Sequence, residues 1–275
     1  MSAAILSPNE TVLADVREGV CWITFNRPTS LNAINPDLVD ALDQILSAVD
    51  GHPDIRCVVL QGAGDHFMAG GDIKKFKRML DTEPDVTARS REFERLLHNV
   101  HRVIVKMRQL PQPIVAWVHG AVAGAGVSLM LACDLVIAAD NAFFTLAYCH
   151  LGVSPDGGST YHLPRSVGLK RSFQIALLGD RFDAETAEKW GLINWVFAAD
   201  QVQAEARKII SRLANGPTAA HGHAKALLNA SLSTPMDIQL DKEIDGFVDC
   251  TASKDFEEGV RAFIEKRKPE FTGRS

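Results

Sequence analysis

From Pro111 to Cys133 the chain runs for 23 residues without a formally charged side chain. That length would cross a bilayer as a helix, but Pro111, Pro113, Gly120, Gly124 and Gly126 break it up. What remains is an apolar run of strand type, Ile114–Val118, then a glycine turn, then a short helical run, Ala125–Ala132. A buried strand feeding a helix through a glycine turn is a unit of an α/β core. No membrane partner is expected.

The unit has relatives on either side. Thr11–Arg17 and Val20–Phe25 are β-type runs around Glu18-Gly19, a hairpin signal. Pro36 opens a helix with Leu38, Leu42, Ile45, Leu46 and Val49 on one face, and Gly51 stops it. Ile55–Leu60 reads as a buried strand, followed by the glycine-rich stretch 62–71 and a helix from Asp72. A long helix around Asp85–Leu110 is marked by Phe93, Leu96, Leu97, Val100, Val103, Ile104 and Met107, and ends at Pro111. Strand Leu135–Ala139 precedes an irregular segment from Tyr148 to Gly158. Beyond Ser159 the pattern is helical, apart from a β-like Trp195–Phe197, with helices near Asp200–Leu213, Pro217–Leu228, Met236–Phe247 and Ser253–Arg267. The reading is an α/β core over 1–198 and a helical region over 199–275.

Composition narrows the function classes. With 46% apolar and 23% charged residues the chain has the makings of a packed core. Lys+Arg 29 against Asp+Glu 34 leaves a net charge of −5, which argues against nucleic acid as a partner. The five scattered cysteines, Cys21, Cys57, Cys133, Cys149 and Cys250, suit neither a disulfide framework nor a zinc site, and read as small apolar groups in a reducing, cytoplasmic setting. No signal peptide is visible at the N-terminus. The dinucleotide, P-loop and G-x-S-x-G fingerprints are missing. His221 and His223 are spaced onto different helix faces. His98 and His101 lack a third ligand and read as a solvated pair, so no metal is expected.

Three glycine-rich junctions hold the candidate chemistry. In Met68-Ala69-Gly70-Gly71-Asp72 a strand meets a helix, either as a close backbone approach to a ligand or as a tight turn with Asp72 as cap. In the stretch Gly120 to Gly126 a helix start offers free N–H groups to negative charge, or the small residues serve helix–sheet packing. In Ser154-Pro155-Asp156-Gly157-Gly158-Ser159 a carboxylate stands before a helix, as a working acid or a plain cap. Together, backbone donors aimed at an oxygen stabilise an enolate, and a carboxylate beside them moves a proton.

These junctions carry a resemblance. Asn26-Arg27-Pro28 with Leu31-Asn32-Ala33, Ala69 through Lys74, His119-Gly120 through Cys133-Asp134, and Pro155 through Gly158 resemble the crotonase superfamily, the enoyl-CoA hydratase/isomerase proteins, in order and over nearly the whole chain. The ending, Glu258 through Phe263 with Glu265-Lys266-Arg267 and Pro269-Glu270-Phe271, is similar to the branch of ring-epoxide phenylacetyl-CoA isomerases. The resemblance implies a crotonase-like α/β fold, a repeated strand-strand-helix spiral with a helical C-terminal assembly region, and a homotrimer or dimer of trimers. It implies an acyl-CoA substrate, with coenzyme A arriving as part of that substrate and no other cofactor. A thioester oxygen would sit between the N–H groups of Gly71 and Ala125. Ala69, Asp72, Ile73 and Lys74 would lie along the CoA moiety, and Phe263 and Lys266, from the same or a neighbouring subunit, would help cover its adenosine end.

Two departures separate activities. Where hydratases of the family place two glutamates, this chain has Ser128 and Tyr148, neither a carboxylate base near neutral pH. Asp156 falls where isomerases and aryl-CoA dehalogenases of the family place their acid. The expectation is an isomerase that uses Asp156 as proton shuttle, with Tyr148 lining the acyl pocket. The alternatives are an atypical hydratase, a dehalogenase or a non-catalytic acyl-CoA binder. Phe76, Met79 and Leu80 would either wall that pocket or pack in the core.

Overall fold

Strands without polar alternation demand cover on both faces, and the central sheet has it. The structure is a computed structural model that describes residues 5–273. Along the chain come β1 (Val12–Arg17), β2 (Val20–Phe25), α1 (Pro36–Val49), β3 (Cys57–Gly62), α2 (Ile73–Thr82), α3 (Val86–Gln109), β4 (Ile114–Val118), β5 (Ala121–Ala123), α4 (Ala125–Ala132), β6 (Leu135–Ala139) and β7 (Phe143–Thr145). There follow α5 (Ser159–Leu178), β8 (Phe182–Asp183), α6 (Ala184–Lys189), β9 (Trp195–Phe197), α7 (Val202–Ala214), α8 (Thr218–Ser231), α9 (Met236–Thr251) and α10 (Lys254–Glu265).

The larger sheet has the order β1-β2-β3-β4-β6-β9. Only the β1–β2 hairpin is antiparallel; the other pairs are parallel. Side chains alternate across it. Cys21, Ile23, Phe25, Val58, Leu60, Ile114 and Ala116 face α1, α3 and α4, packing with Leu38, Leu42, Ile45, Val103, Met107 and Met130. The intervening Val20, Trp22, Cys57, Val59, Val115 and Ile137 meet Val202, Ala206, Ile210 and Ala214 of α7 on the opposite face. The helical region beyond residue 199 thus opens with a helix that completes the sheet's cover, and α8–α10 follow it. A second sheet, β5-β7-β8, stands beside the first; the sequence reading had only a turn over β5 and no strand over β7 or β8.

A buried ion cluster ties α8 to the core. Lys225, on α8, is 8% exposed and lies 2.8 Å from Asp134, while donating to the carbonyls of Met107 and Gln112. Arg108 bonds the other oxygen of Asp134 at 2.9 Å, and the amide of Ile114 donates to Oδ2 at 2.8 Å. Burial pushes the Lys225 ammonium down, and the charge and hydrogen bond of Asp134 oppose that. Charges this far from water persist only with such partners. Of the cysteines, Cys21, Cys57 and Cys133 are buried and Cys149 and Cys250 half-buried; all five are free thiols. Burial raises the Cys21 and Cys57 thiols to about 12. No helix among the described residues is long and apolar enough to cross a membrane.

Candidate active site

The segment Ala69–Asp72 is held from two sides. On one, the amide of Ala69 donates to Leu31 (2.9 Å), that of Ile34 to Gly70 (2.7 Å) and that of Asp72 to Ile34 (3.1 Å). On the other, Met68 exchanges bonds with Ala121 and Ala123 of β5 at 3.0 and 2.9 Å. Leu31 and Asn32 reach this position through left-handed backbone, φ 52° and 56°. Asn32 is fully buried; its Oδ1 accepts from the Arg27 amide, and its Nδ2 donates to the carbonyls of Ala63 and His66. Replacing Asn32 with Ala strands all three backbone groups. The expected loss is about 2 kcal/mol of unfolding free energy, read by urea denaturation.

Asp72 serves as the cap of α2, Oδ1 accepting from the Lys75 amide at 3.1 Å, and as the partner of Arg27 at 2.9 Å through Oδ2. Burial pushes its carboxyl up, but the Arg27 bond, the Lys75 amide and the Arg27 and Arg78 charges together bring it below its ordinary value. Both oxygens are therefore taken by the protein.

Strand geometry aims the Gly71 amide. The bridge between Ile34 and Gly71 uses the carbonyl of Gly70 and the amide of Asp72, so the Gly71 N–H points to the other side, toward β5 and the start of α4. Beyond the bridge of Met68 with Val122 the two backbones stay side by side as far as Gly70 and Gly124. The backbones touch there: a side-chain carbon on Gly70 would lie 3.6 Å from the Ala125 nitrogen. Gly124 makes the turn into α4 at φ 49°, ψ −120°, a region closed to most side chains. Within α4 the amides of Val127 and Ser128 return to Gly124. The amides of Gly71 and Ala125 have no acceptor among the described residues. Unpaired N–H groups beside the start of a helix suit an oxygen carrying negative charge.

Three residues further, about 4.5 Å along α4, stands Ser128. Its Oγ donates to the carbonyl of Asp156 at 2.9 Å and lies 3.3 Å from the Tyr148 hydroxyl. That hydroxyl donates to Asp156 Oδ1 at 2.7 Å. Tyr148 comes from a 3₁₀ turn, Tyr148–Leu151, and Asp156 from the loop before α5. Burial pushes the Asp156 carboxyl above its ordinary value, with the Tyr148 bond and His101 working the other way. A carboxyl raised by burial, anchored at one oxygen, is suited to taking and returning a proton.

His101 stands apart from His98 here. Both are exposed, but the Nε2 of His101 accepts from the Gly157 amide at 3.4 Å, whereas His98 lies beside Glu94. The sequence held no signal for this, because the contact bridges α3 and a loop 56 residues away. Phe76 presses against Gly71, where a side-chain carbon would come within 2.8 Å of Cζ, and meets Phe93 edge-on at 5.0 Å. No residue of α2 is buried: Met79 is half-covered and Leu80 is 61% exposed, so core packing does not account for these side chains. Ile73 and Lys74 are exposed at the head of α2, next to Gly71, and Ala69 is half-buried beneath it. Phe263 and Lys266 sit elsewhere, on α10 and just after it. Phe263 is 87% exposed and borders an apolar cavity of about 450 Å³ with Pro217, Phe256, Val260 and Phe271, which none of the junction residues lines.

The model of the family described as enoyl-CoA hydratase/isomerase matches residues 15–274. A 1,2-epoxyphenylacetyl-CoA isomerase of Escherichia coli is 38% identical, covering 96% of this chain and 99% of its own. A protein of Rhodobacter capsulatus described as a probable enoyl-CoA hydratase is also 38% identical, over 96% of this chain and 98% of its own. Among solved structures, an enoyl-CoA hydratase of Bacillus anthracis superposes with a TM-score of 0.89 at 29% identity, over 96% of this chain and 100% of that one.

Proposed function

The chain belongs to the enoyl-CoA hydratase/isomerase family, and from that premise we propose that it is an acyl-CoA isomerase acting on an enoyl-CoA or a ring-epoxide aryl-CoA. The thioester oxygen lies between the N–H groups of Gly71 and Ala125. Asp156 removes a proton from the carbon chain, the resulting enolate charge rests on that oxygen, and the same carboxyl returns the proton at another carbon. One acid suffices for such a transfer. Water addition by two glutamates is a different arrangement, and Ser128 and Tyr148 occupy the positions those glutamates would need. The observation that carries the reading is the half-buried Asp156 carboxyl, raised by burial and tied to Tyr148, on a residue whose own carbonyl accepts from Ser128 of α4.

In the same reading Ala69, Ile73 and Lys74 border the CoA arm, Phe76 walls the acyl end, and CoA comes only as part of the substrate. The C-terminal helices carry assembly, as a trimer or a pair of trimers. Leu240, Ile244, Phe247 and Val248 recur on α9 at helical spacing and all are exposed, which a monomer in water disfavours. Hydration remains the second reading, favoured by the hydratase description of the Rhodobacter capsulatus relative.

Incubation of the protein in heavy water with crotonyl-CoA, a β,γ-enoyl-CoA and a halobenzoyl-CoA, read by mass, separates these activities. The expected result is deuterium entering the enoyl thioester with no gain of water. Faster water addition to crotonyl-CoA would replace the isomerase by a hydratase, and halide loss would make it a dehalogenase. Binding without any change would leave an acyl-CoA binder.

A further inference from the structure

We infer that Tyr148 is the positioning residue of this site: its O–H holds Asp156 through Oδ1, so that the proton in transit is carried on Oδ2. The inference rests on Asp156 being the proton shuttle. Three contacts join Ser128, Tyr148 and Asp156, and the two hydroxyls have two protons to share among them. The shorter contacts take them: Tyr148 to Oδ1 at 2.7 Å and Ser128 to the Asp156 carbonyl at 2.9 Å, which leaves the 3.3 Å contact between the hydroxyls without a proton. Oδ2 has no partner among the described residues. The two carboxyl oxygens are thereby unequal, one bound to the protein and one open.

The donor is well placed to keep this role. Tyr148 is 8% exposed, and its turn is closed by its own amide to Leu146 at 2.8 Å and by the Val153 amide to its carbonyl at 3.3 Å. Burial and the adjacent Asp156 charge push the phenol well above its usual range, so it remains a donor at any working pH. The other groups around the carboxyl are few. His101 reaches the loop from α3 through the Gly157 amide, and a positive charge on it would oppose the burial of the carboxyl. His162 of α5 lies next to Gly158 and is pushed down to about 4 by burial and by Arg108 and Arg165, so it is neutral over the working range. From α4 only the uncharged Ser128 is in contact.

Removing the hydroxyl while keeping the ring isolates the effect. A hydrogen bond donated to a carboxylate favours its ionised form, so its loss raises the Asp156 pKa. In Tyr148→Phe the acid limb of kcat/KM for the converted enoyl-CoA should move up by about one pH unit, with kcat roughly tenfold lower and KM within about twofold. NMR of carboxyl-labelled aspartate in the substrate-free protein should show the same upward shift of Asp156. Fluorotyrosine at 148, a stronger donor, should move both in the opposite direction, and this keeps the test intact if the Phe variant folds poorly. A merely structural Tyr148 would lower the melting temperature and leave limb and titration in place, and that result overturns the inference. So does wild-type kcat in Tyr148→Phe. If Asp156→Asn itself turns over normally, the shuttle falls and the inference with it; if Asp156→Asn is inactive and Tyr148→Phe unshifted, the inference alone falls.

Discussion

Asp156→Asn is expected to lower kcat on the isomerised thioester roughly 10³-fold, within the range that a positioned acid or base supplies. The amide has nearly the shape of the carboxyl and still accepts from Tyr148, so the 2.7 Å bond has a counterpart and the loop before α5 has no reason to move. Only the ability to take up and release a proton goes. Stability provides the control. Folding raises the Asp156 pKa through burial, so once pH exceeds the folded value the ionised carboxyl costs stability relative to the unfolded chain, where it titrates lower and is hydrated. At pH values above that point the Asn variant should melt no lower than the parent protein, and KM should change little. Asp156→Ala should be equally inactive but less stable, since it leaves the Tyr148 hydroxyl without its acceptor. Undiminished turnover in both variants would remove Asp156 from the mechanism, and a fall in melting temperature matching the fall in rate would make it a structural residue.

Much of this architecture can be read before any coordinates, and the gaps have physical causes. Apolar periodicity marks β2, β4, β6, α1 and α3 because each buries a regular stripe or a whole strand. The start of β3 is placed two residues early because Ile55, though outside the strand, is only 2% exposed and prolongs the apolar run. β5, β7 and β8 are two or three residues long; they exist through pairing of Ala121–Ala123 with Phe143–Thr145 and of Phe143 and Phe144 with Asp183 and Phe182, partners with no local signature. The helix after Ser159 is interrupted at Gly168, φ 72° and ψ 163°, which an isolated glycine in a helical pattern does not announce. At the site, glycine spacing pointed to strand–turn–helix junctions, and the family resemblance supplied the roles of Gly71, Ala125 and Asp156. The bond from Tyr148 to Asp156 crosses a 3₁₀ turn and a loop, and the sequence offered Tyr148 only as pocket lining. Nor does an amphipathic pattern reveal that α2, unlike α1, buries none of its residues.

The second large effect is expected from a single methyl group placed away from the acid. Gly126 has an ordinary helical backbone, and in isolation alanine there would strengthen the helix by up to about 1 kcal/mol. Its surroundings reverse that. A side-chain carbon at 126 would lie 2.4 Å from the carbonyl oxygen of Met68 and 3.1 Å from Met68 Cβ. Backbone cannot yield as the end of a flexible side chain can, so the start of α4 and the Met68–Asp72 segment must separate. Those are the two pieces that carry Ala125 and Gly71. In the proposed reaction an oxygen held by two N–H groups would then be held by one, and losing one such donor costs about 10² in kcat. Gly126→Ala should therefore show that fall in kcat with the Tyr148–Asp156 titration unchanged, because the carboxyl keeps its partner. Affinity for a non-reacting thioether analogue of the substrate should fall far less than the rate, since a thioether keeps the CoA arm but has no carbonyl oxygen for the two amides to hold. A variant that turns over at the parental rate, with the methyl accommodated, would mean that the spacing of the two amides does not matter to the chemistry, and the enolate would need another source of stabilisation.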